Sequence, residues 1–289
     1  MNPWILAARP RTLGAAVIPV LAGTALAFAA HARDPLLTTL ILACALLIQI
    51  ATNYFNDALD HAKGADTAER LGPTRATSSG LLSARAMMAG GAFCLGLAAA
   101  LAIPLVLRGG WPILALGLVS LLLAYAYTGG PFPLAYLGLG EIFVILFFGV
   151  FAVAGTYYLT ALSLSPAAAL AGLQIGLHSS VLLAVNNLRD LGTDRAADKR
   201  TLAVRFGLAF ARRENAALVM TPFVLGILWL PLGFFWAFLL PLMTLPLAGW
   251  LARACLAAGP DRSVNRLLVR AAALHAAFGL LLALGCLLP

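Results

Sequence analysis

Asn53-Tyr54-Phe55-Asn56-Asp57-Ala58-Leu59-Asp60-His61-Ala62-Lys63-Gly64-Ala65-Asp66 ends one long apolar run, and Asn186-Asn187-Leu188-Arg189-Asp190-Leu191-Gly192-Thr193-Asp194-Arg195-Ala196-Ala197-Asp198-Lys199 ends another. Both stretches join a hydrophobic helix to a charged loop. Residues at i, i+3, i+4 and i+7 share a helix face. Asn53, Asp57 and Asp60 therefore form one stripe, with Asn56 beside it. Asn187, Asp190 and Asp194 form a second stripe, and Asn186 offers a neighbouring register. The offsets from Asn53 to Asn186 and from Asp57 to Asp190 are equal, which hints at two similar halves facing each other.

The runs that precede these stretches set the fold class. The chain has 289 residues, 62% apolar and 10% charged, with a mean hydropathy of +0.95. Soluble domains carry about 25% charged residues, so this composition excludes a soluble enzyme, a disordered chain and a nucleic-acid binder despite the net charge of +8. A bilayer core about 30 Å thick needs apolar runs of roughly 20 residues. The runs predict an all-α polytopic membrane protein with nine transmembrane helices at 12–30, 36–56, 88–107, 111–127, 140–162, 166–187, 214–232, 233–251 and 267–288. The short alternating segments of a membrane barrel are missing. Residues 1–289 read as one transmembrane domain with cytoplasmic cap loops at about 57–87 and 188–213. Residues 12–30 are followed by no convincing small-residue cleavage site, so a span is expected there and not a cleaved leader. Cys44, Cys94, Cys255 and Cys286 lie in apolar runs and read as small buried hydrophobes.

Basic residues orient the chain. With nine spans, every Lys and Arg except Arg33 and Arg108 falls on one side. The positive-inside rule then puts the N-terminus and both long loops in the cytoplasm and the C-terminus outside.

Eleven acids are present, and seven of them, Asp57, Asp60, Asp66, Glu69, Asp190, Asp194 and Asp198, lie in the two loop-proximal segments. Charged groups beside membrane helices are costly and mark function by default. Carboxylate and amide oxygens without clustered Cys or His suit Mg²⁺. The interleaved Lys63, Arg70, Arg75, Arg189 and Lys199 suit phosphate oxygens. One such cluster is equally well explained by solvated loop charges. Two with related spacing on one side of a membrane favour a polyanionic headgroup held at the interface, with its tail in lipid.

These residues resemble the intramembrane UbiA-type prenyltransferase superfamily. Asn56-Asp57 with Asp60 matches its first aspartate-rich motif, and Asp190, Asp194 and Asp198 match the second. Other stretches are similar to one branch, the 1,4-dihydroxy-2-naphthoate polyprenyltransferases of menaquinone synthesis. They are Arg9-Pro10-Arg11-Thr12-Leu13, Lys63-Gly64-Ala65-Asp66, Arg70-Leu71-Gly72-Pro73-Thr74-Arg75, the stretch from Tyr127-Thr128-Gly129-Gly130-Pro131 through Tyr136 to Gly140-Glu141, Asn186-Asn187-Leu188-Arg189-Asp190 and Lys199-Arg200-Thr201-Leu202-Ala203. The resemblance covers about residues 9–210. Other branches place a further Asp where this chain has Gly64, which leaves open whether Asp66 takes that place.

The resemblance implies Mg²⁺-dependent transfer of a polyprenyl group from polyprenyl diphosphate to an aromatic acceptor, at the cytoplasmic face of a bacterial inner membrane. In the naphthoate branch the ring loses CO₂ and demethylmenaquinone results. Asp57, Asp60, Asp190 and Asp194 are then expected at the metal, with Asn53, Asn56 and Asn187 as amide ligands or their supports. Lys63, Asp66, Arg75, Asn186, Arg189, Asp198 and Lys199 are expected at the diphosphate or the acceptor carboxylate. An allylic cation needs an apolar chamber with aromatic faces, each contributing ~0.5–2 kcal/mol, and Tyr54, Tyr127 and Tyr157 are candidates. Glu141 is expected to cap its helix, or alternatively to orient the acceptor hydroxyl. The runner-up acceptors are 4-hydroxybenzoate and haem. A cation-coupled transporter is the rival class, but transporter sites sit near the bilayer midplane, whereas these acids stand at helix ends beside basic residues.

Overall fold

The computed structural model describes residues 2–64 and 71–289, so Asp66, Glu69 and Arg70 lie outside the described residues. It is 80% helix, with no strand among the described residues. A short helix α1 (Pro3–Ala8) leads through a tight turn at Pro10–Thr12 into α2 (Gly14–Ala29). Then come α3 (Pro35–Ala62), α4 (Ala84–Ala126), α5 (Gly140–Ala161), α6 (Pro166–Arg189), the short α7 (Leu191–Ala196), α8 (Leu202–Leu225), α9 (Phe235–Ala257) and α10 (Val264–Leu287). Among these, α3, α4, α5, α6, α9 and α10 are long and apolar enough to cross a membrane, and α2 is a shorter apolar helix.

Local chemistry sets the helix starts. Asp34 accepts the N–H of Leu37 at 2.9 Å to open α3, with Pro35 at the first helical position. Ser83 caps α4 through Ala86, Ser165 caps α6 through Ala168, and Thr201 caps α8 through Val204. Each cap satisfies an N–H that the helix itself leaves unpaired.

Two boundaries differ from the sequence reading. The runs at 88–107 and 111–127 both fall inside α4, which breaks at Gly110 (φ 67°, ψ −157°). That conformation favours glycine, and Pro112 follows it. The run expected to start at residue 214 belongs to α8, which begins at Leu202, breaks at Gly207 (φ 82°, ψ 178°) and continues to Leu225. Arg205, Arg212, Arg213 and Glu214 cover the first half of α8 and hide it from a search for apolar runs.

α6 is the central helix, with most of its apolar stretch buried inside the protein. α5 and α6 meet with almost no space between backbones. A Cβ added at Gly149 would lie 2.3 Å from the carbonyl oxygen of Gly172, and one at Gly176 would lie 2.4 Å from that of Ile145. The α5 backbone widens to a π-turn over Leu146–Val150 at this contact, a feature often found at functional sites. α2, α8 and α10 pack around α6 in one apolar core that includes Ile18, Ile175, Val219, Leu274 and Phe278. α3 and α4 form a hairpin on the other flank. Between α3, the second limb of α4 and α5 the helices leave room for a cavity.

Candidate functional site

The last two turns of α3 divide their polar side chains between two directions. Asn56 and Asp60 face the turn after α4. Thr128 Oγ1 donates to Asn56 Oδ1. Tyr136 Oη donates to Asp60 Oδ1 at 3.1 Å, and Arg75 Nη2 meets Asp60 Oδ2 at 3.4 Å. Asn53 and Asp57 face elsewhere. Asn53 Nδ2 donates to the Ala8 carbonyl at 2.9 Å and so holds the end of α1. Both carboxylate oxygens of Asp57 accept backbone N–H groups, from Thr77 at 2.9 Å and Ala76 at 3.1 Å. Asn53, Asp57 and Asp60, expected on one face, divide their hydrogen bonds between two sets of partners. Asn53 and Asp57 bind protein backbone, while Asn56 and Asp60 point toward the site. A step of one residue turns a helix by about 100°, enough to separate the two pairs once loops compete for them.

The second segment is not one helix. α6 ends at Asp190 (φ −91°, ψ 10°), and α7 starts after it. Arg189 forks onto Asp190 at 2.6 and 2.7 Å and reaches Asn265 Oδ1 on α10 at 2.8 Å. Asn265 in turn donates to the Leu71 carbonyl at 3.0 Å. Arg189 thus ties α6 and α10 to the loop after α3. Asn186 donates to the Leu182 carbonyl of its own helix. Asn187 Nδ2 donates to Glu141 Oε1 at 2.7 Å. Asp194 meets Lys199 Nζ at 3.5 Å through Oδ1, and its Oδ2 is buried with no hydrogen-bond partner. Asp198 is exposed beside Arg200, away from the buried acids.

Tyr136 joins the two segments. Lys63 Nζ lies 4.3 Å from its ring centroid and Lys199 Nζ 5.7 Å, both within cation–π range. Lys63 also donates to the Thr128 carbonyl at 2.5 Å. The ring is placed by backbone. Ala135 N–H donates to the Tyr127 carbonyl, Arg200 N–H to the Tyr136 carbonyl, and Arg205 Nη2 to the Leu137 carbonyl. The sequence reading did not single out Tyr136 or Thr128 as site residues. Their one signal was their place in the quoted 127–141 stretch.

The electrostatics are those of a buried mixed-charge cluster. Burial pushes the Asp194 carboxyl up to about 6, with Lys199 pulling it back down and the Asp190 and Asp60 charges adding to the rise. Burial lowers the Lys63 ammonium, Asp60 opposes that, and the Lys199 charge reinforces it. One neighbourhood therefore contains acids from both segments.

A cavity of about 210 Å³ shares Tyr127 with this neighbourhood, lined by Thr52 and Ile48 of α3, Leu116 and Ser120 of α4, Tyr127, and Phe143, Phe147, Phe148 and Phe151 of α5. Its wall is almost entirely apolar, as a cavity for a hydrocarbon chain requires. Tyr127 sits in that wall. Tyr54 does not: its hydroxyl donates to the Trp4 carbonyl at 3.2 Å and its ring stacks edge-on with Trp4. Tyr157 packs in the central core with Ala15 and Ile18.

No group of three or more His, Cys, Asp or Glu side chains is close enough to hold a metal ion among the described residues. The donor chemistry still suits a hard cation. The buried ligating atoms are oxygens, and Asp194 Oδ2 is a buried carboxylate oxygen without a hydrogen-bond donor.

Comparison with known proteins agrees with this geometry. Residues 16–272 match the UbiA prenyltransferase family. The chain is 40% identical over 223 residues to the 1,4-dihydroxy-2-naphthoate octaprenyltransferase of Escherichia coli (strain K12), covering 75% of this chain and 72% of that one. It is 39% identical over 222 residues to the enzyme of the same name from Mycobacterium tuberculosis, covering 77% and 76%. Among solved structures, a UbiA homologue from Aeropyrum pernix K1 superposes with a TM-score of 0.70 at 15% identity, over 93% of this chain and 96% of that one. A UbiA homologue from Archaeoglobus fulgidus bound to DMAPP and Mg²⁺ superposes with a TM-score of 0.59 at 14% identity, over 97% and 99%.

Proposed function

The chain belongs to the UbiA prenyltransferase family, and we propose that it transfers a polyprenyl group from polyprenyl diphosphate to 1,4-dihydroxy-2-naphthoate, with loss of CO₂, giving demethylmenaquinol, the reduced form of demethylmenaquinone. The carrying observation is the aromatic-walled apolar cavity beside a cluster where Tyr136 joins Asp60, Lys63 and Lys199. A chain with a diphosphate head and a hydrocarbon tail fits both halves. The naphthoate acceptor is supported by the relatives' names. Mg²⁺ is supported by the Archaeoglobus homologue with DMAPP and Mg²⁺ and by the oxygen donors here.

Asn56, Asp60, Asn187, Asp190 and Asp194 would hold Mg²⁺, which supplies Lewis-acid stabilisation of the departing diphosphate. Lys63, Lys199 and Arg75 bind diphosphate oxygens by charge-assisted hydrogen bonds. Tyr136 orients Asp60 and carries both lysines on its ring. Breaking the allylic C–O bond sends its electron pair to the diphosphate and leaves a cation. The faces of Tyr127 and Phe147 stabilise that cation, and the apolar wall excludes water that would quench it. The acceptor ring attacks the allylic carbon and loses its carboxylate as CO₂. Asn187 holds Glu141 by a hydrogen bond, and this pair would orient the acceptor's hydroxyl.

The topology proposed is nine spans, counting the two limbs of α4 separately, with the N-terminus and the loops at 57–87 and 188–213 on the cytoplasmic side of the bacterial inner membrane. The positive charge of those loops supports it. The deciding experiment supplies purified protein in detergent with polyprenyl diphosphate, Mg²⁺ and 1,4-dihydroxy-2-naphthoate, with 4-hydroxybenzoate in parallel. A prenylated, decarboxylated naphthoquinol that disappears with EDTA is the expected product. Product from hydroxybenzoate alone would overturn the acceptor and keep the chemistry.

A further inference from the structure

Within the loop after α3, residues 75–82 form a compact turn stitched to that helix. The Arg75 carbonyl accepts from Ser79 Oγ at 2.6 Å and Ser79 N–H at 3.2 Å, and the Ala76 carbonyl accepts the N–H groups of Leu81 and Leu82. Ala76 is fully buried among Ala7, Ala58 and Met87. Beneath it stands Asp57, 1% exposed. Its Oδ1 takes the Thr77 N–H and its Oδ2 the Ala76 N–H. A carboxylate that receives two backbone N–H groups is well satisfied as an anion. The arrangement repeats the logic of a helix cap, with an acid presenting both oxygens to consecutive amides. The next residue back along the loop, Arg75, reaches Asp60 Oδ2 one helical turn further along α3. One end of this clamp is thus structural, and the other lies in the site.

We propose that Asp57 is a positioning residue and not a metal ligand: by holding the amides of Ala76 and Thr77 it seats the loop that delivers Arg75 to Asp60 and to the substrate diphosphate. Its kinetic consequence rests on the prenyl-transfer reading above; its structural consequence does not. A buried amide pair deprived of its acceptor must be resolvated, so the loop lifts. Arg75 then leaves the diphosphate site while the cation's own oxygens stay in place.

The test compares Asp57→Asn with Asp60→Asn in the full-length protein in detergent. Asparagine keeps the shape of Asp57 but offers one acceptor oxygen, and its amide group opposes the second N–H. Asp57→Asn is expected to raise KM for polyprenyl diphosphate by about tenfold while the half-saturating Mg²⁺ concentration changes less than about twofold. Asp60→Asn is expected to raise the Mg²⁺ requirement by about tenfold or more. Limited trypsinolysis read by mass spectrometry gives an arm that needs no activity. Arg75 is 8% exposed, so cleavage after it requires the loop to open, and Asp57→Asn is expected to accelerate that cut. Thr77→Pro removes one donor without touching the carboxylate and is expected to show the same KM change and the same cut. It decides the question if Asp57→Asn does not fold. A tenfold shift in Mg²⁺ requirement in Asp57→Asn, with no new cleavage after Arg75, would overturn the proposal and make Asp57 a ligand. Wild-type protein inactive in transfer would sink the prenyl-transfer reading, and the trypsin arm would still decide the anchor.

Discussion

Tyr136 donates its phenol hydrogen to Asp60 Oδ1 across 3.1 Å, joining the turn after α4 to the end of α3. A hydrogen bond to a charged group contributes about 1.5–3 kcal/mol. Tyr136→Phe removes that bond and keeps the ring under the lysines, so kcat/KM is expected to fall by about tenfold. Tyr136→Ala also removes the cation–π surface and is expected to fall further. Steady-state kinetics on both variants checks the order.

Lys63 titrates below an ordinary lysine because it is partly buried and faces Lys199. Its charge is therefore lost at lower pH than that of a free lysine, and diphosphate binding weakens as pH rises through that value. Lys63→Arg keeps its charge at any accessible pH. The alkaline limb of the kcat/KM profile is expected to move upward in Lys63→Arg, and an unmoved limb would assign it to another group.

Asp194 has a folded-state value of about 6 against an ordinary 3.8. Its ionised form is disfavoured in the folded protein, so it costs stability as pH rises through 6 and costs nothing below about pH 4. A divalent cation bound there offsets the cost only where the carboxylate is ionised. Added Mg²⁺ is expected to raise Tm more at pH 7.5 than at pH 5.5, and Asp194→Asn is expected to lessen that difference. Thermal melts at both pH values measure it.

Gly176 lies where a Cβ would come 2.4 Å from the Ile145 carbonyl oxygen. Backbone cannot yield as a side chain can, and overpacking costs typically about 1–3 kcal/mol or more. Gly176→Val is expected to reduce the yield of monodisperse protein and lower Tm, whereas Gly117→Ala, with nothing within 4 Å, is expected to be nearly silent.

Ala45 lines the apolar cavity on α3. Ala45→Phe fills part of it, and the longest prenyl diphosphate accepted is expected to shorten. A donor series from geranyl upward, scored by product mass, gives the cut-off.

The amino-acid sequence by itself determined the class of molecule. Runs of about 20 apolar residues with so few charges can only be stable as lipid-spanning helices. It also located the two charged segments, because charge at the end of an apolar helix stands out against that background. The break inside α4 was legible as a gap between two runs around Gly110 and Pro112. The start of α8 was not, since Arg205, Arg212 and Arg213 interrupt the apolar pattern on both sides of the helix break at Gly207.

Tertiary structure decided which member of each segment faces the site. Helical periodicity groups Asn53, Asp57 and Asp60 on one face, yet Ala8, Ala76 and Thr77 bring unpaired backbone groups to the first two and leave Asp60 to Tyr136 and Arg75. Those partners lie between 15 and 76 residues away along the chain. A periodic pattern records only neighbours on the same helix. The partner of a buried polar group is fixed by which loop closes over it, because an unpaired buried donor or acceptor is costly and most are paired.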